Sequence, residues 1–193
     1  MSVIMAIKKL KQEMAEEGIR PETGLGNDMF LFSSTLAPVV NVDLLITNEA
    51  HQILLAWRDD PHCGAGWHIP GGCLRFKETL GERIQKTAMT EIGASVQYDA
   101  EPIRVFEIFS QDNRAGIQDQ RERAHFITLV YKCRLPENWE IEKDDVEPDE
   151  PGQLKWFDAL PDNLLAVQKC YREYWNEISE RLWRMSKNEQ VDK

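Results

Sequence analysis

One stretch constrains this chain more than any other. The apolar run Trp67-His68-Ile69 breaks at Pro70-Gly71-Gly72 and leads into a helix-patterned segment that stops at Gly93. Leu80, Ile84 and Ala88 recur every fourth residue, which places them on one helical stripe and predicts a helix over 79–92. Gly93 follows as the residue that accepts the left-handed conformation past a helix end. A helix apolar on one side needs a flat apolar partner, and the surrounding sequence supplies strands.

Residues 36–47 and 51–58 are rich in valine, leucine and isoleucine, and Asn48-Glu49 lies between them. The pattern predicts two strands joined as a hairpin. Further strands are expected over 103–110, 125–135 and 154–157, with polar loops over 59–66, 111–123 and 137–152. At the ends, Ile4, Ile7, Leu10 and Met14 predict a helix over 3–17, followed by a glycine-containing linker over 18–27. Leu164, Leu165, Val167, Tyr171, Trp175, Ile178, Leu182 and Trp183 predict a long helix over 161–187. The expected class is α/β (α+β): a mixed sheet between helices, with an N-terminal helical extension and linker over 1–30 and one domain over 31–193. The first helix is expected to pack on the core or on a second subunit. The aromatic stripe of the last is expected to be core or dimer contact.

Composition narrows the function. At 193 residues, 42% hydrophobic and 29% charged, the chain has the balance of a soluble globular protein. It has no apolar run long enough to span a membrane, and its first residues do not read as a signal peptide. A net charge of −10 argues against nucleic acid as partner, though not against a small anion held by local cations or a metal. Cys63, Cys73, Cys133 and Cys170 form neither a CxxC pair nor a zinc spacing, so free thiols in a cytoplasmic protein are expected.

The chemistry concentrates where Gly71-Gly72-Cys73-Leu74-Arg75-Phe76-Lys77-Glu78 is followed, seven residues later, by Lys86-Thr87-Ala88-Met89-Thr90-Glu91-Ile92-Gly93-Ala94. This resembles the Nudix box, G-x5-E-x7-R-E-U-x-E-E-x-G-U, with U a bulky aliphatic residue. Gly72, Glu78, Glu91 and Gly93 match. Lys86 stands for the arginine, Thr87 and Thr90 for two glutamates, and Ala88 and Ala94 are small for U. Positions 87, 90 and 91 share one helical face, where the full box gathers hard divalent ions. With Glu91 remaining of the three carboxylates, one magnesium ion completed by substrate phosphates is expected rather than a cluster, with manganese as the alternative.

The losses at 87 and 90 resemble the GDP-mannose mannosyl hydrolase branch of that family. Asp43, Arg58, His125-Phe126-Ile127 and Pro148-Asp149-Glu150 are similar to its site segments, over roughly residues 38–160. The resemblance implies hydrolysis of a nucleoside-diphosphate sugar to sugar and nucleoside diphosphate. Glu91 and the Gly72 carbonyl would hold the metal. Arg58 would stabilise the leaving diphosphate, and Asp43 would orient Arg58 or contact the sugar. Phe126 stands for a functional tyrosine. Cys73 stands where that branch has another substrate-binding arginine, and Arg75, two residues on, is the arginine carried as substrate-binding. No histidine follows His125, so the base would be a loop carboxylate: Asp144, Asp145, Asp149 or Glu150, with Asp149 and Glu150 carried as catalytic. A conventional Nudix pyrophosphohydrolase attacking phosphorus and a catalytically impaired nucleotide-binding module are the alternatives. A homodimer is expected, since apolar helical stripes at both ends need covering.

Taken singly, these residues have plainer readings. A helical glutamate is usually solvated. Glu78, Glu82 and Lys86 step by four as an ion-pair ladder. Asp43 interrupts an apolar strand and needs a partner, for which Arg58 is economical.

Overall fold

The computed structural model describes residues 2–61, 63–109, 125–141 and 150–189. Its elements run α1 (Val3–Glu16), α2 (Asn27–Ser34), β1 (Val39–Ile46), β2 (Ile53–Asp60), β3 (Gly64–His68), β4 (Gly71–Cys73), α3 (Leu80–Glu91), β5 (Gln97–Tyr98), β6 (Arg104–Phe109), β7 (His125–Arg134), β8 (Leu154–Phe157) and α4 (Cys170–Glu189), with a 3₁₀ turn over Ala166–Gln168. The mixed α+β class expected from the sequence is found. No described helix is long and apolar enough to cross a membrane.

The hairpin expected of β1 and β2 does not form. β1 pairs in parallel with β7, from Val39↔Phe126 to Ile46↔Cys133, and antiparallel with β4 on its other side. β2 lies in a second sheet, of order β3-β2-β8, and meets the end of β1 through the isolated bridge Thr47↔Ile53. Both β1 and β2 are buried on their two faces, and such strands are satisfied by neighbours on either edge and by layers above and below. The local turn decides only where the chain changes sheet.

Side-chain parity along the strands assigns the two apolar layers. Val42, Leu44, Ile46 and Leu54 face a cluster with Ile84 and Ala88 of α3 and with Ile92 just past its end. Leu45, Ile53, Leu55 and Trp57 face the opposite cluster, with Tyr171, Ile178 and Leu182 of α4. The sheets are therefore sandwiched between helices, and Asp43, in phase with Leu45, points towards α4.

α4 begins later than the periodicity suggests. The 161–169 segment instead follows β3: the amide of Trp67 donates to the carbonyl of Asn163 at 3.1 Å, and Leu165 donates to the carbonyl of Trp67 at 2.8 Å. Pro161 opens a turn rather than a helix because edge pairing on β3 satisfies the backbone groups there. At the other end, α1 forms as expected, capped by Ser2, but buries no residue: Val3, Ile4 and Ile7 are more than half exposed. It is thus no part of the core. α2 and β5 have no counterpart in the sequence reading, being too short for a periodic signal.

Candidate active site

The site grows from the way α3 is set against β4. Thr79 caps the helix through a capping box, its hydroxyl accepting from the Glu82 amide while the Glu82 carboxylate accepts from the Thr79 amide. Glu82 is thereby drawn to the helix start. Glu78 instead gathers the cations: Arg83 donates to it at 2.7 and 2.9 Å, and Lys86 at 2.9 Å. Glu78 and Lys86 pair directly, while the four-residue ladder through Glu82 does not form. Burial pushes the Glu78 carboxyl up, but the bonds from Lys86, the Arg75 amide and Arg83 outweigh it and hold its pKa below the ordinary value. This knot fixes the loop between β4 and α3.

Gly71 and Gly72 are then required by close approach. A Cβ on Gly71 would stand 2.2 Å from Oδ1 of Asp43, and one on Gly72 would stand 2.4 Å from Oγ1 of Thr87. Thr87 is buried, and its hydroxyl has no hydrogen-bond partner among the described residues.

One turn beyond Thr87, Glu91 carries a donor on each oxygen. Arg58 Nη2 donates to Oε1 at 2.8 Å, and His68 Nε2 lies 2.9 Å from Oε2. The Nδ1 of His68 lies 2.8 Å from the Ala56 carbonyl, which only accepts, so Nδ1 is the donor of that contact. Arg58 also lies 3.7 Å from Asp60. Burial works against its charge, but Glu91 first, then Cys63 and Asp60, hold its pKa above the usual arginine value.

Asp43 does not pair with Arg58. Its Oδ1 accepts from Asn41 at 2.6 Å, and its Oδ2 accepts from the Tyr171 hydroxyl at 2.8 Å and from Gln168 Nε2 at 3.3 Å. Gln168 also brackets Ile69, accepting from its amide at 2.7 Å and donating to its carbonyl at 3.0 Å. Burial pushes the Asp43 carboxyl up to about 7, against the lowering bonds from Tyr171 and Asn41. The buried Tyr171 hydroxyl, beside that carboxylate, is pushed well above the ordinary tyrosine value.

The structure therefore brings Arg58, Glu91, Gly72 and Asp43 into one neighbourhood. Glu150 shares with Glu91 the lining of a cleft of about 800 Å³, together with Thr90, Trp139, Glu140 and Gln153 among others. Arg75 does not join: it donates to the Thr23 carbonyl and lies over Gly24 in the N-terminal linker. Phe126 is the second residue of β7, four residues from Val130, the register partner of Asp43, a separation of about 13 Å along a strand. Asp144, Asp145 and Asp149 lie outside the described residues. Sequence reasoning missed His68, Gln168 and Tyr171 as members of this constellation. Their partners are remote in the chain, so no local pattern marks them.

The NUDIX domain family model matches residues 37–164. The chain belongs to the Nudix family. It is 26% identical over 153 residues to the low-salt glycan biosynthesis protein Agl8 of Haloferax volcanii, across 79% of this chain and 91% of that protein. Among solved structures, a possible asymmetric diadenosine tetraphosphate hydrolase from Jonesia denitrificans is similar at a TM-score of 0.56 and 18% identity, over 76% of this chain and 98% of the other. A UDP-X diphosphatase is similar at a TM-score of 0.51 and 19% identity, over 94% and 81%. At these identities the structural likeness shows the Nudix fold.

Nudix hydrolases act on small nucleotide-type substrates and generally use divalent metals. Among the described residues no group of three or more His, Cys, Asp or Glu side chains could hold an ion. Glu91, with the unpartnered Thr87 hydroxyl one turn back and Gly72 against it, offers oxygen donors to a single hard cation whose other ligands are waters and substrate oxygens. The described residues fit one ion of that kind.

Proposed function

We propose that this Nudix hydrolase, acting in the cytoplasm, cleaves a nucleoside-diphosphate sugar of the GDP-mannose type with magnesium or manganese, releasing sugar and nucleoside diphosphate. The observation that carries this reading is the 2.8 Å contact between Arg58 and Glu91. It puts an arginine suited to a diphosphate beside the last carboxylate of the box, which itself lines a cleft of about 800 Å³. The reduced box and the relationship to a protein named for glycan biosynthesis both favour a sugar-linked substrate over a plain nucleotide.

In this reading Glu91 and the Gly72 carbonyl hold the ion, which supplies positive charge to the departing diphosphate. Arg58 adds charge to the same oxygens as they become more negative. Asp43 keeps the Gly71-Gly72 turn seated. Glu150, which lines the cleft, is the carboxylate proposed to take a proton from water, with Asp149 beside it in sequence as the other candidate. Phe126 and Arg75 are carried as outer substrate contacts, Arg75 after release from the linker. A homodimer that covers the apolar face of α1 belongs to the same proposal.

A panel of nucleotide sugars, turned over with magnesium by the wild type and by Glu91→Gln, tests it. Sugar plus nucleoside diphosphate is the expected product pair, with activity reduced about a hundredfold or more in the variant. Sugar phosphate plus nucleoside monophosphate would mean attack at phosphorus. A second reading, a binding module without turnover, is favoured by one feature: both Glu91 oxygens already carry protein donors. It predicts nucleotide-sugar binding with no products under any divalent ion.

A further inference from the structure

We propose that Arg58 and a divalent ion compete for Glu91, and that a diphosphate resolves the competition by drawing Arg58 away, so that ion and diphosphate bind cooperatively. This rests on the reading of Glu91 as the metal ligand. It adds a specific claim about which protein group stands in the ion's place.

The two donors on Glu91 differ in mobility. His68 is buried and pinned at both nitrogens, by Glu91 Oε2 and by the Ala56 carbonyl on the neighbouring strand. It orients the carboxylate and is poorly placed to leave. Arg58 keeps 31% of its side-chain surface exposed. Beyond Oε1 of Glu91, Arg58 has Asp60 as an acidic neighbour at the longer distance of 3.7 Å. Exchange therefore takes place at Oε1.

Charge makes the exchange reciprocal. A guanidinium 2.8 Å from Oε1 repels a second cation approaching the same oxygen. A diphosphate offers that guanidinium two acceptor oxygens in the planar geometry it prefers. Once Arg58 turns to the diphosphate, Glu91 is left short of a positive partner, and the ion supplies it. Whatever factor the diphosphate contributes to ion affinity, the ion must return to diphosphate affinity.

The test uses the full chain and Mn2+ as probe, with free ion followed by electron paramagnetic resonance. Arg58→Gln is expected to bind Mn2+ more tightly than the wild type in the absence of nucleotide, by about tenfold. GDP is expected to strengthen Mn2+ binding much less in the variant than in the wild type. Arg58→Met, of similar length and without charge, replaces Arg58→Gln if the latter is poorly folded, and the same tightening is expected. Equal or weaker Mn2+ binding in the Arg58 variants overturns the proposal. Glu91→Gln separates the layers of the argument. Loss of the Mn2+ site in Glu91→Gln leaves the metal reading standing whatever the Arg58 variants do. Undiminished Mn2+ binding there overturns the metal reading and this proposal with it.

Discussion

Asp43 is the residue whose surroundings differ most from its sequence context. In the strand it is a charge among aliphatic side chains. In the fold it is buried and bonded to Asn41, Gln168 and Tyr171, with Gly71 pressed against it. Burial raises its pKa from 3.8 to about 7, so the folded protein holds this proton more tightly than the unfolded chain does. Its contribution to stability is therefore fully present below the unfolded value and is lost as pH rises through about 7. Urea unfolding at a series of pH values should show this slope in the wild type and a flatter one in Asp43→Asn. Tyr171→Phe removes one donor from the same carboxylate and should cost about 1–3 kcal/mol at pH 7, read by the same measurement.

At the scale of elements, α3 owes its placement to its ends as much as to its apolar stripe. The capping box at Thr79 satisfies two amide groups that the helix leaves open, and Thr79→Ala should cost about 1 kcal/mol in thermal or chemical unfolding. Gly93 closes the helix at φ 78°, with open space where a Cβ would go. Gly93→Ala should therefore cost about 1 kcal/mol through backbone strain alone, with no steric component. Both changes loosen the helix that carries Glu91, so they should weaken activity less than Glu91→Gln does while lowering the melting temperature more. The N-cap and the C-terminal glycine are both legible in the sequence, because the groups they satisfy lie within one helical turn. The β1–β2 hairpin that the local pattern predicts does not form, for the converse reason: the pairing of two buried strands is decided by partners far along the chain.

Across the whole molecule, the two ends differ. The family match stops at residue 164, yet Gln168, Tyr171, Ile178 and Leu182 beyond it fill one apolar layer and hold Asp43 and Ile69. A chain ending at residue 164 should fail to fold cooperatively, with exposed β2 and β6 surface and dye binding typical of a collapsed state. α1 buries nothing, so a chain lacking residues 1–17 should melt within about 3 °C of the full protein. Its sedimentation behaviour would report directly on the proposed dimer: a shift from dimer to monomer supports a role for α1 in assembly, and an unchanged dimer places that interface elsewhere.

The sequence by itself determined the elements with strong periods, their layering between helices, the family and the reduced box, since spacing along a helix already places Glu91 one turn past Thr87. Only the tertiary structure decided who touches Glu91 and Asp43. His68 reaches Glu91 across a sheet edge, and Tyr171 reaches Asp43 from the far end of the chain. Hydrogen bonds between side chains depend on positions in space to within a few tenths of an ångström. Residue spacing carries that information within one element and loses it as soon as the chain leaves it.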